Sequence, residues 1–105
     1  MMTSVSVKFH VGQIIEHKKF GYRGVIYDVD AEFGGTDDWY EHVAKSRPPK
    51  NEPWYHVLVD GSEDTTYVAE QHILTTDNTK EINHPLIEVY FLSFSNDHYK
   101  LALKQ

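Results

Sequence analysis

The chain contains no cysteine. That removes a disulfide framework, a thiolate nucleophile and every cysteine-based zinc site at once, and it suits a reducing compartment. Glycine and proline are sparse, with Gly 6 and Pro 4, and no repeat, low-complexity tract or linker breaks the chain. No stretch reaches the ~20 apolar residues that a membrane span needs. The opening "MMTSVSVKFHVG" has no basic start followed by a long apolar run, so no signal peptide is expected and the expected setting is the cytoplasm, away from membranes. Positive charge is also in short supply. Lys+Arg number 10 against 16 Asp+Glu, giving a net charge of −6 and a pI near 5.5. A dedicated non-specific nucleic-acid binder has the opposite balance, which leaves only local basic patches for such a role.

What remains is the composition of a folded module, 40% hydrophobic and 13% aromatic. Domains hold roughly 100–150 residues, so residues 1–105 are read as a single domain. A chain of this length buries roughly two thirds of the surface its unfolded form exposes, enough for one modest core.

Period-two patterning dominates. "KFHVGQIIEH" (Lys8 to His17) is β-rich, with Gly12 marking a bulge or sharp entry, and "KKFGY" turns the chain at Gly21. In "RGVIYDVD", Val25, Tyr27 and Val29 alternate with Ile26, Asp28 and Asp30, the pattern of a strand. In "PWYHVLVDG", Tyr55, Val57 and Val59, read as a barrel wall, alternate with Trp54, His56 and Leu58. A turn over Asp60 to Asp64 and a return over Thr65 to Ala69 complete a hairpin, and "EQHIL" reads as one helical turn.

Two segments break the alternation. Gly-Gly and Pro-Pro pairs bracket "TDDWYEHVAKS", a short helix with Thr36 or Asp37 as N-cap and Lys45 near its end. Trp39 and Val43, four apart, share one of its faces. Further on, Asn83-His84-Pro85 predicts a helix start. The helix over 84–94 would carry two apolar stripes, Leu86, Val89 and Tyr90 on one side and Ile87, Phe91 and Phe94 on the other. A helix apolar nearly all round needs cover on several sides, so homo-oligomerisation through 84–94 is expected. Tyr99, Leu101 and Leu103 alternate in the tail. The expected fold is mostly all-β: a small SH3-like β-barrel over about residues 8–74, a short loop helix, and a C-terminal helical appendage and tail over about 83–105.

Motifs for chemistry are missing. Seven histidines show no H-x-x-x-H or H-E-x-x-H spacing, and surface or capping roles are the default for them. No G-x-S-x-G, Walker or dinucleotide glycine pattern occurs. Asp28, Asp30 and Glu32 suit general acid–base work or calcium, but also a solvated strand edge that discourages sheet-to-sheet aggregation. The chain is therefore expected to be no enzyme and to carry no cofactor and no metal. Two short stretches interleave cations with rings or loop turns, "HKKFGYR" and "KSRPPK". Such cations suit phosphate and such rings suit base stacking. The candidate contacts are Lys18, Lys19, Tyr22, Arg23, Trp39, Tyr40, Lys45, Arg47 and Trp54. Trp39, Tyr40 and Trp54 suit a protein-binding groove equally well, and for Trp54 burial is the default.

Taken in order, G-Q-x-I-x-H, G-Y-R-G-V-I-x-D-x-D, W-Y-H-V-L, Y-V-A-E-Q and "INHPLIEVYF" resemble the YccV-like, hemimethylated-DNA-binding family, which includes a bacterial heat shock protein. The resemblance runs from about Lys8 to Phe94. It implies an SH3-like barrel, no catalytic activity and two kinds of partner. Some members are named for preferring hemimethylated DNA. Others act in the stress response and regulated protein degradation, as a protease adaptor or specificity factor for an ATP-dependent, Lon-type protease or its substrate proteins. Because proteolysis recurs across the family's machines, the adaptor role is the leading expectation and DNA-binding the alternative. The segment after Asn83 is apolar where the short heat-shock members are richer in charge, and is closer to the form in an F-box subunit's domain.

Overall fold

The computed structural model describes residues 6–102. Seven strands and two short helices follow one another as β1 (Ile14–His17), β2 (Arg23–Asp30), α1 (Asp37–Val43), β3 (Trp54–Val59), β4 (Thr65–Ala69), β5 (Ile73–Thr75), α2 (Ile87–Tyr90), β6 (Phe91–Ser95) and β7 (His98–Leu101). A single 3-10 turn, Glu70–His72, precedes β5. The first five strands form one antiparallel sheet in the order β4-β3-β2-β1-β5, and β6 pairs with β7 in a separate hairpin.

The three central strands bury consecutive residues on opposite faces. Ile15, Ile26, Tyr55 and Val57 join Phe9, Val68 and Ile73 in one core. Ile14, Val25 and Leu58 join Ile82, Phe91 and Tyr99 in another. Val68 and Ile73 come from the two edge strands yet meet in the first core, so the sheet curls until its edges share one interior. No ladder joins β4 to β5, and the curled sheet stays open. The mostly β expectation therefore holds. Burial on both faces also explains why "VI" and "VL" run together where strict alternation was expected.

A β-bulge at Tyr27 shifts the register of β2 on β3 between Ile26 and Asp28. The extra residue flips the parity of the strand. Ile26 and Val29 consequently face the same core, while Val25 and Tyr27 face the other. The expected partition of this strand is corrected accordingly. The β-rich reading of Lys8 to Gly12 also needs correction, because the ladder begins only at Ile14. Phe9 enters the core from an irregular segment, and Gly12, at φ 91, donates its N–H to the carbonyl of Ile26 at 2.8 Å.

The helix expected over 84–94 is the main correction. Only Ile87–Tyr90 is helical, and Phe91–Ser95 is a strand. Asn96 and Asp97 adopt φ 52 and 66, the left-handed pair that a two-residue hairpin turn requires. Asn83 is not the N-cap. His84 is buried instead, and its Nδ1 accepts the N–H of Leu86 at 3.0 Å. Leu103 lies outside the described residues. Among the described residues, no helix is long and apolar enough to cross a membrane.

Candidate functional site

The loop helix forms where the sequence favours it. Thr36 caps α1 by accepting the N–H of Trp39 at 3.1 Å, with Asp37 and Asp38 in the first turn. In the helix so capped, Trp39 packs toward β3 and β4, while Val43 stays 56% exposed. With Tyr40, Ala44, Trp54 and Ala69, α1 makes a third apolar cluster over β3 and β4, with Phe33, Trp39 and Tyr67 packed on it. Trp54, 1% exposed, is the pillar of that cluster, and its Nε1 donates to the carbonyl of Pro49 at 3.0 Å. Tyr40 is 7% exposed, and its hydroxyl donates to the carbonyl of Pro48 at 2.7 Å.

Between α1 and the β1–β2 turn runs a groove of 680 Å³ over β4, within the roughly 300–1,000 Å³ of small-ligand sites. Its walls are aromatic. Tyr22, Tyr27, Trp39 and Tyr67 line it, with Phe20 and Val43 at its rim. Lys19 and Lys45, from the β1–β2 turn and the end of α1, also line it. No aspartate or glutamate lines it, although the chain as a whole carries 16. The floor is fixed by hydrogen bonds. Tyr22 Oη and Thr66 Oγ1 lie 2.8 Å apart. Tyr67 Oη donates to Asp30 Oδ2 at 2.5 Å and accepts the N–H of Gly34 at 2.9 Å. Burial, and then the bond to Asp30, push the Tyr67 hydroxyl up to about 12, so it remains a donor throughout the physiological range.

Three histidines belong to this surface. His17 is buried, and its Nδ1 accepts the N–H groups of Lys19 and Phe20, both at 3.1 Å. His72 lies beside it, with ring centroids 5.8 Å apart. Burial holds both imidazoles below their ordinary value, helped for His17 by His72 and Lys19, and for His72 by Lys19 and Lys18. His56 Nε2 lies 3.1 Å from Asp30 Oδ2. Asp28, Asp30 and His56 each place one ligand atom within 4.8 Å of the others, but Asp30 Oδ2 is already shared by Tyr67 and His56. Glu32 lies beyond the end of β2 and does not join them.

The candidate contacts fall into two groups. Lys19, Tyr22, Trp39, Lys45 and Trp54 line the groove, and Lys18 is exposed next to it. Of the others, Arg23 and Tyr40 are committed to the fold, whereas Arg47 stays exposed in a surface ion pair. Arg23 pairs with Asp60 at 3.0 Å and donates to the carbonyls of Asn78 and Lys80, both at 2.9 Å. Arg47 pairs with Glu41 at 2.9 Å, and Tyr40 is in the core of the α1 cluster. Among the described residues, Lys18, Lys19 and Lys45 enter no ion pair. Sequence reasoning missed Phe20, His17, Tyr67 and His72. The first two were legible as the tip and base of "HKKFG"; the others reach the groove only because the chain returns along β4.

A small open β-sheet with a carboxylate-free aromatic groove between a capped helix and a lysine turn is the frame of a binding module. A family model described as "Hemimethylated DNA-binding protein YccV like" matches residues 7–98. The chain belongs to this YccV-like family, as the order of its motifs suggested.

Proposed function

We propose that the chain is a non-catalytic DNA-binding module of the cytoplasm whose groove takes hemimethylated DNA. The family's description supports this reading. The observation that carries it is the composition of the groove: aromatic walls and unpaired lysines, with no carboxylate on the walls and Asp30 engaged behind them by Tyr67 and His56, in a chain of net charge −6. Rings offer stacking to any base, and the lysines offer contacts to phosphate. The groove's adaptation to one ligand thus runs against the charge of the molecule, which suppresses indiscriminate binding elsewhere.

The test is a titration of matched hemimethylated, fully methylated and unmethylated duplexes at graded salt. The hemimethylated duplex should bind tightest. With Lys18, Lys19 and Lys45 as phosphate contacts, log K should fall with log salt at a slope of about −2.7, at about −0.9 for each phosphate. Binding that ignores methylation would defeat the reading.

A second reading, the adaptor of an ATP-dependent protease or its clients, is favoured by a different surface. Val89 is 62% exposed and Leu92 71% exposed on the C-terminal hairpin and its helical turn, and neither lines the groove. Such side chains suit a protein partner. In this reading Val89→Ser with Leu92→Ser leaves DNA affinity unchanged and abolishes any enhancement of client degradation by the protease. Retained enhancement would remove this surface from the account.

A further inference from the structure

The turn between β1 and β2 exposes an aromatic ring on a rigid mount. Phe20 is 71% exposed and belongs to neither core, so the fold gains little from it. The backbone around it is nonetheless held tightly. His17 Nδ1 accepts the N–H groups of Lys19 and Phe20. The Gly21 N–H donates to the His17 carbonyl at 2.9 Å, and the His17 N–H donates to that of Tyr22 at 2.8 Å. Gly21 sits at φ 75, and the Lys18 N–H reaches the carbonyl of His72 at 2.8 Å. One side of the Phe20 ring stacks on His17, with centroids 4.7 Å apart. The rest of the ring stands at the mouth of the groove, flanked by Lys18 and Lys19.

An aromatic-walled receptacle thus lies beside a preorganised planar ring with a lysine pair at its base. On a duplex these parts are complementary to one event. A base that leaves the stack needs a place to lie, and the gap it leaves is closed by an apolar side chain. We propose that the groove receives one base extruded from the duplex and that Phe20 wedges into the stack behind it, with Lys18 and Lys19 on the flanking phosphates. The inference rests on the DNA reading above and deepens it. The mark is then read by rings that enclose the base, rather than by groups reaching into the duplex. His17 positions Phe20 through its hydrogen bonds to the turn and also lines the groove beside it.

The experiment uses two short duplexes, one hemimethylated at a single adenine and one at a single cytosine, each with 2-aminopurine next to the modified base. Binding of the wild-type protein to its preferred duplex should raise the 2-aminopurine fluorescence, because unstacking relieves its quenching. Phe20→Ala should bind roughly tenfold more weakly or worse, a loss within the range for one base–aromatic stack, and should fail to raise the fluorescence. Phe20→Trp should restore both. The Phe20→Ala protein should still unfold cooperatively, as its ring is outside both cores and touches the fold only through the stack on His17, and Phe20→Leu provides a second variant that retains apolar bulk without the ring. Wild-type affinity and fluorescence in Phe20→Ala would overturn the wedge and leave the DNA reading standing, as would tight wild-type binding with no fluorescence rise. Absence of wild-type binding to any duplex would defeat both.

Discussion

His17 shows how much one side chain decides at the smallest scale. It is the acceptor for two backbone donors of the β1–β2 turn, and the wall against which Phe20 and Tyr22 rest, at 4.7 and 5.1 Å. Its imidazole and that of His72 lie below their ordinary value of 6.5. As pH falls, the unfolded chain therefore takes up these protons before the folded one does. Stability is present above about pH 6.5 and is lost from there downward, levelling off below the folded values. His17→Ala should cost about 1–3 kcal/mol, the range for stranding a buried hydrogen-bonding group, and should flatten this acid limb; urea unfolding on both sides of about pH 6.5 checks both. Trp39 and Tyr40 are neighbours with opposite fates. Trp39 is half-buried on the groove, so Trp39→Ala should weaken ligand binding with the fold retained. Tyr40 sits in the α1 cluster and bonds to Pro48, so Tyr40→Ala should lower the melting temperature, an effect on stability rather than on a free contact surface.

Among the elements, α1 was the most legible. Thr36, the acidic first turn and the Trp39–Val43 spacing are local signals, and a helix this short depends on its cap. Thr36→Ala should cost about 1 kcal/mol in thermal unfolding and loosen the groove wall. The segment after α2, a strand, carries a helix-like pattern for an identifiable reason. A register shift between Phe91 and Ser93 makes Leu92 an extra residue, so Phe91 and Phe94, three apart, face one core. Three-residue spacing is what a helix stripe looks like. Ile26 and Val29 in β2 have the same spacing for the same cause. The corrective signal was present in Asn96-Asp97, a pair suited to left-handed hairpin turns. Gly12 ties this hairpin to the sheet. A Cβ there would lie 2.0 Å from the carbonyl oxygen of Tyr99, and its φ is +91. Gly12→Ala should therefore destabilise by more than about 1 kcal/mol and broaden the resonances of β7 in an NMR spectrum.

At the scale of the whole molecule, the C-terminal hairpin is part of the interior. Phe91 and Tyr99 complete the second core, and the Tyr99 hydroxyl accepts the N–H of Ile82 at 2.8 Å. Removing the residues after Asn83 should abolish cooperative unfolding, monitored by near-ultraviolet circular dichroism, because it bares Ile14, Val25 and Leu58. The apolar surplus that pointed to a partner subunit is thus largely absorbed within the chain, leaving Val89 and Leu92 outside.

The sequence by itself determined four of the sheet's five strands, the turns at Gly21 and Asp60 to Asp64, the capped helix and the family, because these follow from neighbours within a few residues and from motif order. β5 was hidden, since only Glu70–His72 of the expected helical turn is helical and Ile73–Thr75 pairs with β1. Only the tertiary structure decided which cations are available. Arg23 looked like Lys18 and Lys19 until Asp60 and the carbonyls of Asn78 and Lys80 were brought beside it. It also decided that a chain of charge −6 has a groove without carboxylates. Net charge is a sum over residues, whereas the field a ligand meets is set by which of them the fold gathers on one wall.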